Sequence, residues 1–262
     1  MNKKWMFVIM IGVLTGVASC TLFHKKRPRG DAGPEADALA RKMLEAVNEE
    51  AWTKTGVVKW TFRGVHDHVW DRRRGYSSVS WGQGDDRISV RFYLDDHSYS
   101  IVTRGGGIVE DKQEANKLTE KAFAYWVNDS FWLNPVVKIF DGGTFRERLP
   151  PDELGRERLM VTYRSGGLTP GDAYLYTLGK DGRPVQWEMW VSILPVGGVK
   201  ASFEGWIQLS TGAWIATKHG IGPKNVDLSD VHGAEDVSQL FDMDLFIELD
   251  ALIHPAARES SP

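Results

Sequence analysis

The chain predicts an α+β fold: one antiparallel sheet of about eight to eleven strands, curled into an unclosed, strongly curved β-barrel with a helical lid or plug. Three observations predict it. Apolar and polar residues alternate through most of the chain, and a central block switches to helical spacing. In addition, 27 glycines and 11 tryptophans point to a sheet-rich domain with a large aromatic interior. Twisted sheets of this size rarely stay flat, so the helical block belongs on the concave face.

The first residues stand outside that fold. Lys3 and Lys4 form a positive start, and Trp5 to Val17 is an almost unbroken apolar run. That run suits the core of an export signal and is shorter than the ~20 residues that span a bilayer. Val17-Ala18-Ser19-Cys20 follows, small residues ending in a cysteine. The pattern resembles the lipobox of bacterial lipoproteins, which implies cleavage after residue 19 and a lipid, such as palmitate, on Cys20. Cys20 is also the chain's one cysteine, so no internal disulfide can form, and a stray thiol would be a liability in an oxidising compartment. Residues 20–36 then read as a lipidated basic tether. Two buried acyl chains, at about 0.8 kcal/mol per methylene, give stable membrane attachment. The stretch His24-Lys25-Lys26-Arg27-Pro28-Arg29 can rest on anionic headgroups or simply be solvated. Thr21 is not the aspartate that holds enterobacterial lipoproteins at the inner membrane, and this resemblance favours the outer membrane, facing the periplasm.

Residues 37–254 read as one domain. Asp37 to Asn48 is expected to be a helix, with Leu39, Met43, Leu44 and Val47 on one side. Val58, Trp60 and Phe62 then alternate with Lys59, Thr61 and Arg63. His66, His68 and Trp70 share one strand face, while Asp67, Val69 and Asp71 share the other. Ile88, Val90, Phe92 and Leu94 alternate in the same way. From Lys112 to Asn128 the spacing is helical, with Leu118, Ala122, Tyr125 and Trp126 on one side. Asp129 to Phe140 reads as a second, shorter helical piece around Pro135. Strands resume over Leu159–Arg164, Asp172–Leu178, Val185–Val191, Lys200–Leu209 and Trp214–His219, with sharp turns at Gly179 to Pro184 and Ser210 to Ala213. Gly222 to Glu235 reads as a loop. Val237 to Glu248 reads as a last strand, with Phe241, Met243, Leu245 and Ile247 on one face, and 255–262 as a flexible tail.

This order, with Trp60-Thr61-Phe62, His68-Val69-Trp70-Asp71, the central helical insertion and the hairpin from Lys180 to Trp187, resembles the LolA/LolB-like lipoprotein carrier superfamily. The resemblance is one of architecture and covers about residues 37 to 250. It implies an unclosed barrel around a hydrophobic cavity that takes up acyl chains or another apolar ligand. Trp60, Phe62, Phe92, Trp187, Phe203 and Phe241 would line it, and Trp126, Phe131 and Trp132 would cover it. The same residues suit a filled core, in which case the protein is a structural or accessory envelope lipoprotein acting by surface contacts on an envelope protein partner. One departure stands out: the early turn Asp95-Asp96-His97 is polar where the receptor carries an apolar contact, and the apolar loop Leu194 to Val199 comes later.

Other chemistries find little support. The net charge of −3 and the confinement of the basic cluster to the tether exclude nucleic acid as a partner. His66-x-His68 has a spacing that zinc sites use, but a third ligand would have to come from His97, His219 or an acid, and no four-ligand pattern is present; no metal or other cofactor is expected. Gly-x-Ser-x-Gly is missing, the cysteine is committed to lipid, and Gly105 to Gly107 lack the lysine of a phosphate loop. Asp67, Asp71, Asp95 and Asp96 fit turns and strand edges. No enzyme is expected.

Overall fold

The computed structural model describes residues 25–165, 169–194 and 196–255. The segment expected to be an export signal, Cys20 and the tail from 256 lie outside the described residues. Helix α1 spans Pro34–Ala46 and α2 Glu49–Lys54. Six strands follow: β1 (Val57–Phe62), β2 (His66–Asp71), β3 (Tyr76–Trp81), β4 (Ile88–Tyr93), β5 (Ser100–Arg104) and β6 (Gly107–Ile108). The long helix α3 runs over Lys112–Leu133. Next come β7 (Thr144–Leu149), β8 (Arg158–Tyr163), β9 (Ala173–Leu178), β10 (Pro184–Trp190) and β11 (Val199–Ser202). The last strands are β12 (Glu204–Gln208), β13 (Trp214–Ile221) and β14 (Lys224–Ala234), and α4 covers Ile247–Ile253.

The strands form two antiparallel sheets, one of nine strands in the order β12-β13-β14-β1-β2-β3-β4-β5-β6 and one of five in the order β11-β10-β9-β8-β7. Each begins and ends on a different strand, so neither closes into a barrel. The fold is α+β with large open antiparallel sheets, as the alternation predicts, but the strands are shared between two sheets where a single one of eight to eleven strands is expected. The described residues divide into two compact units: one holds 25–49, 134–206 and 216–226, and the other holds 50–133, 207–215 and 227–255.

In the first unit, α1 begins with proline at its first turn, where a missing N–H costs nothing, and Asn48 with φ 56° marks its end. Ala36, Leu39, Ala40 and Met43 form its buried stripe, which lies on β7 and β8. Arg146 bonds Asp37 at 2.6 Å and Arg148 bonds Glu35 at 2.8 Å, tying helix to sheet. The segment before α1 is not a free tether. Asp31 exchanges backbone hydrogen bonds with Arg148 at 2.9 and 2.8 Å, adding a bridge at the edge of β7. Lys25 pairs with Glu188, and Arg27 lies 3.5 Å from Glu147. Both glutamates are largely buried, so these two pairs draw the segment onto the five-stranded sheet.

In the second unit, β14 pairs with β1 from Val57 opposite Ala234 to Phe62 opposite Leu228. The register shifts across Trp60, where Asp230 takes φ 51°, and this is a β-bulge. Trp60, Val79, Val90 and Phe92 are wholly buried. Helix α3 lies across β3, β4 and β5, as expected of the helical block.

Four further expectations are corrected. Residues 222–235, expected as a loop, contain β14. Its buried Val226 and Leu228 alternate with exposed Asp227 and Ser229, but the polar residues around them mask the pattern. Residues 237–248 are not a strand. Asp236 and Gln239 build a capping box on a single helical turn, and Phe246 and Leu249 bury against Tyr76 while Met243 and Ile247 stay exposed. Arg74 grips Asp244 with two bonds of 2.7 and 2.9 Å, which fixes that segment in place. Helix α3 passes through Asp129 without a break and ends at Leu133. The strand expected over 200–209 is split at Phe203 into β11 and β12, beside Gly205 with φ 62°.

Phe246 is fully buried against Tyr76, so Phe246→Ala should cost about 3–5 kcal/mol in guanidinium unfolding. A loss below about 1 kcal/mol would mean that the C-terminal segment does not dock on the sheet.

Candidate functional site

Strand alternation puts His66, His68 and Trp70 on one face of β2, and α3 lies over that face. The neighbouring strand β1 sets Trp60 opposite His68 and Phe62 opposite His66. Directly opposed side chains on one face touch. Trp60 and His68 therefore stack with ring centres 4.4 Å apart and planes within 5°, and Phe62 stacks on His66 at 6.2 Å. The helix supplies the other wall: Tyr125 stacks on His66 at 3.8 Å.

The buried residues of α3 include Ala122, Tyr125, Asp129 and Leu133, spaced three and four apart on one stripe. The acid on that stripe enters between the two histidines. Oδ2 of Asp129 lies 2.8 Å from His66 Nδ1 and 2.7 Å from His68 Nε2. Its other oxygen accepts a bond of 2.8 Å from the Asn128 side-chain amide. The side chains of His68 and Asp129 are 0% and 1% exposed, against 13% for His66, so the centre meets solvent on the His66 side.

Burial pushes the Asp129 carboxyl up, but the hydrogen bonds from His66 and His68 outweigh it and hold the group below the usual carboxylate range. Burial also drives the His68 imidazole down, against the pull of Asp129. The resulting state is a carboxylate hydrogen-bonded to a neutral His68 imidazole and to the ring of His66. Two imidazole nitrogens and a carboxylate oxygen lie within 4.8 Å of one another, and all three are common metal-ligand types.

Asp129 is the residue that sequence reasoning missed. The spacing ends one helix at Asn128 and starts a shorter helical piece at Asp129, which sets the acid at a boundary between elements rather than on a buried stripe. The available signal was an acid three to four residues from Tyr125, Trp126 and Leu133, on an otherwise apolar stripe. Neither His97 nor His219 supplies the third group. His97 bonds the Leu94 carbonyl at 3.1 Å and packs on Phe123, and His219 belongs to the first unit, bonded to the Ser202 carbonyl at 2.9 Å. The four aspartates read as turn and edge residues act as such: Asp67 pairs with Arg87, Asp71 with Arg74, Asp95 with Tyr93 and Asp96 with Ser98.

The expected cavity residues divide between the two units. Trp60, Phe62 and Phe92 are buried in the second unit, and Trp126 joins them through Trp70 at 5.2 Å and Phe123 at 6.0 Å. Phe131 and Trp132 are half-buried at the end of α3. Trp187 and Phe203 belong to the first unit, 5.1 Å apart, in a ring cluster with Tyr176 and His219. Phe241 lines a polar cleft of about 380 Å³ together with Asp71, Arg73, Arg74, Asp236 and Asp244.

Removing the carboxylate should leave two largely buried imidazoles unpaired. Asp129→Ala is expected to lower stability by about 3–5 kcal/mol in denaturant unfolding. A cost under about 1 kcal/mol would show that the centre does not hold α3 to β2.

No family model matches the chain, and no curated protein matches it. Among solved structures, the chain is similar to a DUF1329 family protein from Desulfovibrio piger ATCC 29098, with a TM-score of 0.38 and 12% identity over 86% of this chain and 99% of that one.

Proposed function

We propose that this is a lipid-anchored envelope protein, attached through Cys20 at the outer membrane, that binds an apolar ligand such as an acyl chain in its second unit, beneath α3. The observation that carries this reading is the state of the aromatic residues there. Trp70, Trp81, Phe123, Trp126, Phe131 and Trp132 are all only half-buried. A helix and sheet that needed only a dry core would be served by aliphatic side chains packed to completion. Large rings left partly in water gain by covering themselves with an apolar molecule, at about 25 cal/mol per Å² buried. The polar hold of α3 is concentrated at few points, among them Asp129 at one end and a bond from Thr119 to Ser100 at 3.0 Å towards the other. That suits a lid that pivots about the seated Asp129 without unfolding.

A second reading has its own support. Trp60 and Phe92 are completely enclosed, and Trp60 already stacks on His68, so the deeper part of this interior is filled. On that reading the protein is an accessory lipoprotein acting by surface contacts.

The two readings separate in a binding experiment. The chain purified without its signal and lipid should release a lipid into organic solvent and saturate with a fluorescent fatty acid. Trp126→Ala should weaken that binding roughly tenfold, the loss of about 1.4 kcal/mol. A chain with no extractable lipid and no saturable binding would favour the accessory role. The anchor is tested separately: radiolabelled palmitate should enter the wild type and not Cys20→Ser, and equal labelling would refute lipidation at that residue.

A further inference from the structure

The three polar groups of the β2–α3 centre have more in common than a hydrogen-bond network requires. A buried carboxylate can satisfy two imidazoles by giving each its own oxygen. Here both nitrogens aim at the same atom, Oδ2 of Asp129, at 2.8 and 2.7 Å, while Asn128 occupies the other oxygen. The three potential ligand atoms therefore converge on a single small volume. They come from two rigid elements, a central strand and a 22-residue helix, rather than from loops. Aromatic rings wall the volume: Trp60 stacks on one imidazole at 4.4 Å with planes within 5°, and Tyr125 on the other at 3.8 Å with planes 27° apart. An apolar shell of this kind is what tunes and protects an ion site. His68 Nδ1 is buried with no hydrogen-bond partner among the described residues, so the nitrogen aimed at Asp129 is the one that this imidazole puts to use.

We propose that His66 Nδ1, His68 Nε2 and a carboxylate oxygen of Asp129 form a binding site for a divalent transition-metal ion, with zinc as the first ion to test. Donor type fits: neutral imidazole and carboxylate are ordinary zinc ligands, and three protein ligands plus solvent make a four-coordinate site. Solvent as the fourth ligand would reach the ion from the His66 side, where that side chain is 13% exposed. Ligand atoms around a tetrahedral zinc sit about 3.3 Å apart, given bonds of roughly 2.0–2.1 Å. The present separations of 2.7 and 2.8 Å must therefore open by about half an ångström. Binding breaks two N–H···O bonds and forms three metal–ligand bonds. In the bound state each imidazole carries its one proton on the nitrogen away from the ion, Nε2 of His66 and Nδ1 of His68, and no electron is transferred.

The test uses the purified full domain after chelator treatment. Titration with zinc alone should give one saturable site per chain, and the thermal midpoint should rise with zinc concentration. Cobalt(II) in the same site should show the strong visible absorption of a four-coordinate ion, and that reading needs no variant. His66→Gln, at the partly exposed position, should weaken zinc binding by more than the roughly 10–100-fold that outer-shell changes cost, with the circular dichroism of the wild type. His232→Gln alters an exposed imidazole outside the centre and should bind as the wild type does. Absence of saturable zinc binding by the wild type would overturn the proposal, leaving a hydrogen-bonded clasp. Undiminished binding by folded His66→Gln, or a six-coordinate cobalt spectrum, would overturn it equally by placing the ion elsewhere. These outcomes are independent of whether the protein binds lipid.

Discussion

The Asp129 carboxylate is the constraint on which the second unit turns. An ionised carboxylate taken out of water costs several kcal/mol unless its oxygens are met by donors. Here both are met: two imidazoles on one oxygen and an amide on the other. That requirement fixes the rotation of α3 about its axis, because only one roll places residue 129 over His66 and His68. It also fixes which rings meet. With Asp129 seated, Tyr125 is one turn back on His66, and Trp126 reaches Trp70. Apolar contacts alone would tolerate several rolls of a helix whose buried stripe is as narrow as this one.

The aromatic residues gain their meaning from that anchor. Trp60 and Phe62 on β1 flank the histidines from the sheet, and their positions follow from the antiparallel register of β1 and β2. The bulge opposite Trp60 bends β14 locally without breaking the pairing. The first unit has an aromatic centre of its own around Trp187, Phe203, Tyr176 and His219. Two clusters of similar composition thus do their packing in separate units. Composition by itself cannot tell one large aromatic interior from two.

Charge is used locally in both units. Glu147 and Glu188 of the five-stranded sheet are matched by Arg27 and Lys25 from the segment before α1. Arg74 joins Asp71 to Asp244 and so ties the C-terminal segment to the strand turn. Ion pairs at the surface contribute little each, but these two sets have carboxylates shielded from water or bidentate geometry, and both draw a segment of irregular chain onto a sheet.

Much of this was legible in the residues. Period-2 alternation located β1, β2, β4 and most of β8 to β10, because a half-buried strand must alternate. Helical spacing located α1 and α3, and the turn residues marked the hairpin after β9. The pairing of His66 with His68 on one face also followed from spacing alone. What the sequence could not decide were the features that depend on contacts distant in the chain. The strand β14 is polar enough to pass for a loop, and only pairing with β1 makes it a strand. Residues 237–248 alternate like a strand, but Arg74 and Tyr76, more than 150 residues earlier, hold them in another conformation. Asp129 lies 61 residues from His68, and nothing local announces that they meet. Local preference sets the elements, but a buried charge selects its partners across the whole fold, and that selection exists only in three dimensions.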